Sequence, residues 1–255
     1  MAFIQDTLLL FRHHLRSVMR NPTWMIVGII QPVMYLAFFG PLLTSIAGKG
    51  IPGFTAANAY NFFVPGLLVQ LGLFSTAFVG FGIIADWRAG VIERLRVTPA
   101  SRLAILAGRI LINVLGLVIQ SVVLLLAGLA FGLRAPVAGV FIGLGIIAIV
   151  AVSLAALSYT VGLLTKSEDV LAPSVNMLIL PLMLLSGIML PMTLGPGWLQ
   201  GVARATPFRY VVDAIRSSFA GNYANHLLLE GICVSVGMAV VSLWLAGRVF
   251  TRLNA

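Results

Sequence analysis

The chain has 255 residues, 60% of them hydrophobic and only 9% charged, with a mean hydropathy of +1.07 and a formal net charge of +9. Charge this sparse excludes a soluble domain of this size, and a bilayer core about 30 Å thick takes roughly 20 apolar residues per helix, so five or six spans would use about half the chain. The basic excess does not call for nucleic acid, because the Lys and Arg residues sit in loops beside apolar runs, where the positive-inside rule puts them.

Residues 2–20 read as an amphipathic helix. Ile4, Leu8, Phe11, Leu15 and Val18 share one face, and Arg12, His13, Arg16 and Arg20 turn toward the other. This is the pattern of a helix lying in the lipid interface with its basic side at anionic headgroups. Asn21-Pro22 ends it, so residues 1–22 form an interfacial unit ahead of a transmembrane domain, 23–255. His13 and His14 point about 100° apart on a helix and do not easily share a metal. The first apolar run, from Trp24, is longer than a signal h-region and has no clear processing site, so the first span acts as its own targeting signal.

Span 1 covers about 24–43, with Pro32 and Pro41 expected to kink or loosen it. A turn-rich loop, Gly48-Lys49-Gly50-Ile51-Pro52-Gly53, leads to span 2, about 62–85, whose Gly66, Gly72, Gly80 and Gly82 permit close helix contact. The stretch Asp86 to Arg102 follows, with four arginines and two carboxylates in seventeen residues. It reads as a short surface helix in which Val91, Ile92 and Leu95 form an apolar strip and Asp86, Glu93, Arg94 and Arg96 are left for water or a partner. Thr98-Pro99 stops it, because the residue before proline is pushed out of the α region.

Span 3, about 104–133, carries Arg109 close enough to its start to snorkel. Asn113 and Gln120, seven apart on one face, serve interhelical hydrogen bonding or line a pathway. Arg134-Ala-Pro136 turns tightly into span 4, about 137–164, and Lys166-Ser167-Glu168-Asp169 turns into span 5, about 170–190, making the two antiparallel neighbours. Thr206-Pro207 then starts a helix, with Phe208, Val211, Val212, Ile215 and Phe219 on one face, Arg209, Asp213 and Arg216 on the other, and Gly221 at its end. Its three charges would each cost roughly 2.5–3.5 kcal/mol at the membrane centre, so a segment that re-enters or lies at the outer interface is cheaper than a seventh span. Asp213 and Arg216 pair there. Span 6, about 227–247, contains Cys233, which reads as a small packing residue, and a basic tail ends the chain.

Six spans put both termini on one side. That side holds Lys or Arg at 12, 16, 20, 88, 94, 96, 102, 109, 166, 248 and 252, eleven in all, against five at 49, 134, 204, 209 and 216. The excess marks it as cytoplasmic. The fold class is therefore an all-α polytopic membrane protein with six transmembrane helices, N-in and C-in.

A site able to drive work is missing from the sequence. There is no G-x-x-x-x-G-K-[ST] phosphate loop, no H-E-x-x-H and no G-x-S-x-G. Without titratable groups in mid-span, a secondary carrier or channel has little to work with, though ATP-independent transport is the alternative to set against an ATP-driven one. A charged cytoplasmic helix between two spans suits a mechanical handle for a separate ATPase.

These elements carry a family resemblance. Asp86-x-x-x-Gly90-x-x-Glu93-Arg94-Leu95-x-x-Thr98-Pro99-x-Ser101-Arg102 is similar to the acidic, glycine, Glu-Arg-Leu, Thr-Pro signature of ABC-2 type permeases. The Gly-Ile-Ile-Ala-Asp86 start and the continuation to Arg109 look most like the daunorubicin/doxorubicin resistance permease branch. Pro191-x-x-x-Gly-Pro196-Gly-Trp198, Thr206-Pro207-Phe208 and Asp213-Ala-Ile-Arg216 resemble the family's segment before its last span. The resemblance implies an exporter subunit with no ATPase site of its own, in which Asp86, Arg88, Gly90, Glu93, Arg94, Leu95, Arg96, Thr98, Pro99 and Arg102 belong to an ATPase-coupling helix. Pro207, Phe208, Asp213 and Arg216 belong to the outer re-entrant segment. Glu93 and Arg94 are the chief candidates for ion pairs with the ATPase. Where many members carry an acid two residues before the glycine, this chain has Arg88, a departure that bears on which ATPase surface it meets. ATP and Mg would be bound by the partner ATPase, a second permease copy would complete a homodimer, and the cargo suited to an apolar interior is a hydrophobic or amphipathic drug, antibiotic or lipid. No residue is assigned to cargo or metal.

Overall fold

The computed structural model describes residues 7–9, 11–12, 15, 23–46, 58–77, 79–90, 102–188, 192 and 195–253, and among them there is no strand. In chain order the helices are α1 (Thr23–Ile46), α2 (Ala59–Ala77), α3 (Gly80–Arg88), α4 (Arg102–Phe131), α5 (Val137–Thr165), α6 (Glu168–Leu185), α7 (Gly197–Arg204), α8 (Pro207–Phe219) and α9 (His226–Leu253). Residues 7–9, 11–12 and 15 are helical too. Six stretches are long and apolar enough to cross a membrane: Val27–Ser45, Ala59–Arg88, Ala104–Phe131, Val137–Thr165, Glu168–Leu185 and His226–Phe250. The second runs through α2 and α3 together. The chain is a multi-pass membrane protein with six candidate membrane-spanning helices.

Helix α5 is the axis of the bundle. It is apolar all round, with no charge before Lys166, the pattern of a helix enclosed by others. α9, α2, α4, α8 and α3 pack around it, and Ser153 and Ser242 hydrogen-bond across the α5–α9 seam at 2.9 Å. The larger core joins Leu67, Leu68 and Leu71 of α2 to Ile147 and Val150 of α5 and to Val211 and Ile215 of α8. By contrast α6 is sparsely packed, against α2, α3, α5 and α7, and Met177, Leu178 and Leu184 face outward.

Local chemistry sets the helix limits. Gly132, at φ 109°, lets Leu133 N–H return to the Gly128 carbonyl and close α4. The Asn61 side chain then clasps the backbone of Arg134 in both directions, donating to its carbonyl at 2.7 Å and accepting from its N–H at 2.8 Å. α1 runs on through Pro32 and Pro41. Thr206 occupies the extended position before Pro207 at the start of α8, but its side chain makes no capping bond there.

Three expectations from sequence need correcting. Asp86 and Arg88 complete α3 instead of opening a separate helix, because the span continues to Arg88 and stops at Gly90, whose φ of 67° is left-handed. Of the four span-2 glycines, Gly66 lies against the Ile188 carbonyl and Gly80 against Ser158, whereas Gly72 has ordinary contact and Gly82 faces open space. Cys233 points outward from α9 and does not pack.

Candidate functional site

The charged stretch after the second span is bounded by described residues at both ends, and the end at α3 meets the joint between α5 and α6. Trp87 and Arg88 close α3, Arg102 opens α4, and Lys166-Ser167 joins α5 to α6. Glu93, Arg94, Leu95, Arg96, Thr98 and Pro99 lie outside the described residues. Their two anchors, Asp86 to Gly90 before and Arg102 after, are inside them.

The first anchor is fixed on two flanks. Asp86 forms an ion pair with Arg109 of α4, whose side chain is only 8% exposed, so the arginine expected to reach the interface is instead held between helices by a carboxylate. One turn further, the Asn113 amide donates to the Arg109 carbonyl at 2.8 Å and to the Tyr159 hydroxyl of α5 at 2.7 Å. A polar chain thus runs from α3 through α4 to the central helix. It realises the interhelical use expected of Asn113.

On the other flank, Arg88 reaches Glu168 at 3.4 Å, both about half exposed, and the Lys166 ammonium sits 4.7 Å from the centre of the Trp87 ring. Lys166 itself holds a left-handed φ of 51° that ends α5. Glu168 and Asp169 occupy the first turn of α6, where carboxylates complement the helix dipole. At its upper end α3 is fixed again: the Gly80 N–H donates to Ser158 Oγ at 2.8 Å, and a Cβ at Gly162 would meet the Gly80 carbonyl at 2.9 Å. α3 is therefore tied to α4, α5 and the head of α6. A force on the segment that follows it has little slack to take up.

The second group of sequence-predicted residues lies at the opposite end of the bundle, where α2, α5 and α9 begin. Phe208, Val211, Val212, Ile215 and Phe219 are all buried, as their spacing predicted. Asp213 pairs with Arg216 at 3.8 Å and with Arg209 at 3.7 Å. Arg216 does more than pair. Its Nε donates to the Phe62 carbonyl at 3.1 Å, Nη2 to the carbonyls of Gly187 at 2.8 Å and Ile188 at 3.3 Å, and the guanidinium lies over the Phe62 ring. It joins α8, the head of α2 and the turn that ends α6. Burial pulls the Arg216 pKa down to about 9, with Asp213 opposing the shift, so the group stays charged at neutral pH. Burial likewise raises the Asp213 carboxyl, against the pull of Arg216 and Arg209.

Sequence reasoning missed Trp87, Tyr159 and the carbonyls that Arg216 holds. Only the opposite charges of Asp86 and Arg109, at the facing ends of two spans that share one loop, could have signalled their pairing in advance.

Comparison with known proteins gives one family. The family described as "ABC-2 type transporter" matches residues 5–220. The daunorubicin resistance ABC transporter permease protein DrrB1 of Streptomyces coeruleorubidus is 26% identical over 238 residues, covering 92% of this chain and 82% of that protein. The putative transport permease ycf38 of Cyanophora paradoxa is 26% identical over 252 residues, 94% of this chain and 84% of that one. The probable doxorubicin resistance ABC transporter permease protein DrrC of Mycobacterium tuberculosis (strain ATCC 25618 / H37Rv) is 23% identical over 241 residues, covering 94% and 86%.

Proposed function

The chain belongs to the ABC-2 type transporter family, and from that premise we propose that it is the permease subunit of an ATP-driven exporter, moving a hydrophobic or amphipathic drug, antibiotic or lipid-like compound out of the cell. As an ABC transporter permease it works with an ATPase partner subunit, which binds ATP and Mg. Two copies of this chain complete the pathway, with both termini and the segment 91–101 in the cytoplasm. The excess of Lys and Arg on that side supports the orientation. The drug-resistance names of two relatives support the cargo class.

The observation that carries the reading is the fastening of α3 on both flanks, by Asp86 to Arg109 and by Trp87 and Arg88 to Lys166 and Glu168. ATP-driven closure of the ATPase pair moves the segment 91–101, which the ATPase grips through Glu93 and Arg94. Gly90 and Arg102 deliver that motion to α3 and α4 together. The polar chain through Asn113 passes it to α5, while α6, sparsely packed and containing Pro173 and Pro181, is the helix freest to shift.

The test is pull-down of the tagged chain from its native membrane, followed by an ATPase assay with and without Glu93→Arg. A separate ATP-hydrolysing subunit should come down with the wild type and be loosened by the substitution, while the variant stays folded. Recovery of no ATPase under gentle extraction, or an unchanged complex with unchanged transport, would count against the reading.

A further inference from the structure

The outer end of α6 is hydrogen-bonded to its neighbours through its backbone. After Leu185 the chain turns at Gly187, whose φ is 69°, and the carbonyls of Gly187 and Ile188 accept from Nη2 of Arg216 at 2.8 and 3.3 Å. Carbonyls at a helix end find no partner within the helix, so one side chain of α8 satisfies what α6 cannot. The Ile188 backbone also lies against Gly66 of α2, where there is no room for a Cβ. The inner end is fixed differently: Lys166-Ser167 joins it covalently to α5, and Leu171 is fully buried beside Gly80. Between the two ends α6 is sparsely packed. A helix held in this way turns about its inner end once the outer bonds are given up.

Arg216 has a second place to go. Its Nη1 lies 3.8 Å from the Asp213 carboxylate, longer than a hydrogen bond, while Nε and Nη2 are occupied by carbonyls. Asp213 sits one turn away on the same helix, about a third exposed, and its contact with Arg209 at 3.7 Å is as loose. A buried guanidinium can leave its acceptors only where another charge receives it, and here one does. The side chain has two arrangements, forked onto carbonyls or closed on Asp213.

We propose that Arg216 is the catch on the outer end of α6, closed on Gly187 and Ile188 and released by turning onto Asp213, which frees Ile188 from its seat on Gly66. Its use in cargo release rests on the exporter function proposed above. The catch itself is read without an ATPase, so the two fail separately.

The test is the rate at which a membrane-impermeant maleimide labels Ile188→Cys in a Cys233→Ser background, with the full chain in nanodiscs. Ile188 is fully buried, so labelling should be slow. Arg216→Gln should speed it about tenfold, the scale of one charge-assisted hydrogen bond. Asp213→Asn should slow it about threefold, the worth of a partly exposed ion pair, because the released arginine loses its receiving charge. An ion pair that only held the fold together would give the opposite sign. Ile147→Cys, in the core on α5, reports the fold and should stay unlabelled in every variant. An unchanged Ile188→Cys rate in Arg216→Gln, a faster one in Asp213→Asn, or exposure of Ile147→Cys by the same factor would each overturn the proposal.

Discussion

The guanidinium of Arg216 lies 3.5 Å from the centre of the Phe62 ring while its Nε donates to the Phe62 carbonyl at 3.1 Å. One side chain of α8 thus satisfies the backbone of two other elements, and it does so with a flat fork that stacks as it donates. Lysine offers a point charge on a flexible stem and cannot do both. Arg216→Lys should therefore cost about 2 kcal/mol, the scale of one charge-assisted hydrogen bond, and Arg216→Ala more. Thermal unfolding of the purified chain in detergent reads this. A lysine variant as stable as wild type would mean that the fork geometry is unimportant.

Asp213 gives the same region a pH dependence of definite sign. Its folded pKa is raised above the ordinary 3.8, chiefly by burial, so the folded state holds the proton more tightly than the unfolded chain. That contribution favours folding below the ordinary value and is lost as pH rises through the raised one. Asp213→Asn should flatten the acid side of the profile of unfolding midpoint against pH. A profile of unchanged slope in the variant would assign the dependence to another group.

How much of this was legible in the sequence depends on whether one helix or two had to be known. The face of α8 was readable because Phe208, Val211, Val212, Ile215 and Phe219 repeat at helical spacing. The Asp213–Arg216 pair followed from the same arithmetic. What Arg216 reaches was not readable, since Phe62 is 154 residues away and offers only a carbonyl, which every residue has. Asp86 was left for water or a partner protein because its own helix supplies no partner. Arg109 becomes that partner only when the end of α3 comes within reach of a long side chain on α4. Nor could spacing tell a glycine at a helix crossing from one facing lipid.

Arg109 should be the more sensitive to loss of its partner. Its side chain is nearly enclosed, whereas Asp86 is 33% exposed and can fall back on water. Asp86→Asn strands a buried cation and should cost about 3 kcal/mol, the low end for breaking a buried pair, while Arg109→Gln should cost less. The double variant should be less destabilised than the two costs summed, by about 1 kcal/mol or more. If the pair also transmits force, Asp86→Asn should lower transport further than the loss of folded protein accounts for, with the ATPase still bound. Additive costs in the cycle would show that the two side chains do not interact.

Gly80 and Gly82 lie on one short helix and separate a crossing from an open surface. A Cβ at Gly80 would sit 2.5 Å from the Ser158 carbonyl and 3.0 Å from Leu171 Cδ2, and the nearer neighbour is backbone that cannot swing aside. Gly80→Ala must push α3 away from α5 and strain the Gly80 N–H bond to Ser158 Oγ, at a cost of about 1–3 kcal/mol. A Cβ at Gly82 meets nothing within 4 Å. Gly82→Ala should therefore be neutral or stabilise by up to about 1 kcal/mol through helix propensity alone. Because α3 leads directly into the segment 91–101, Gly80→Ala should also impair ATP-driven transport, and Gly82→Ala should not. Unfolding midpoints of the two variants, measured beside their transport rates, decide it. Equal effects would mean that α3 and α5 do not cross at Gly80 as closely as the structure has them.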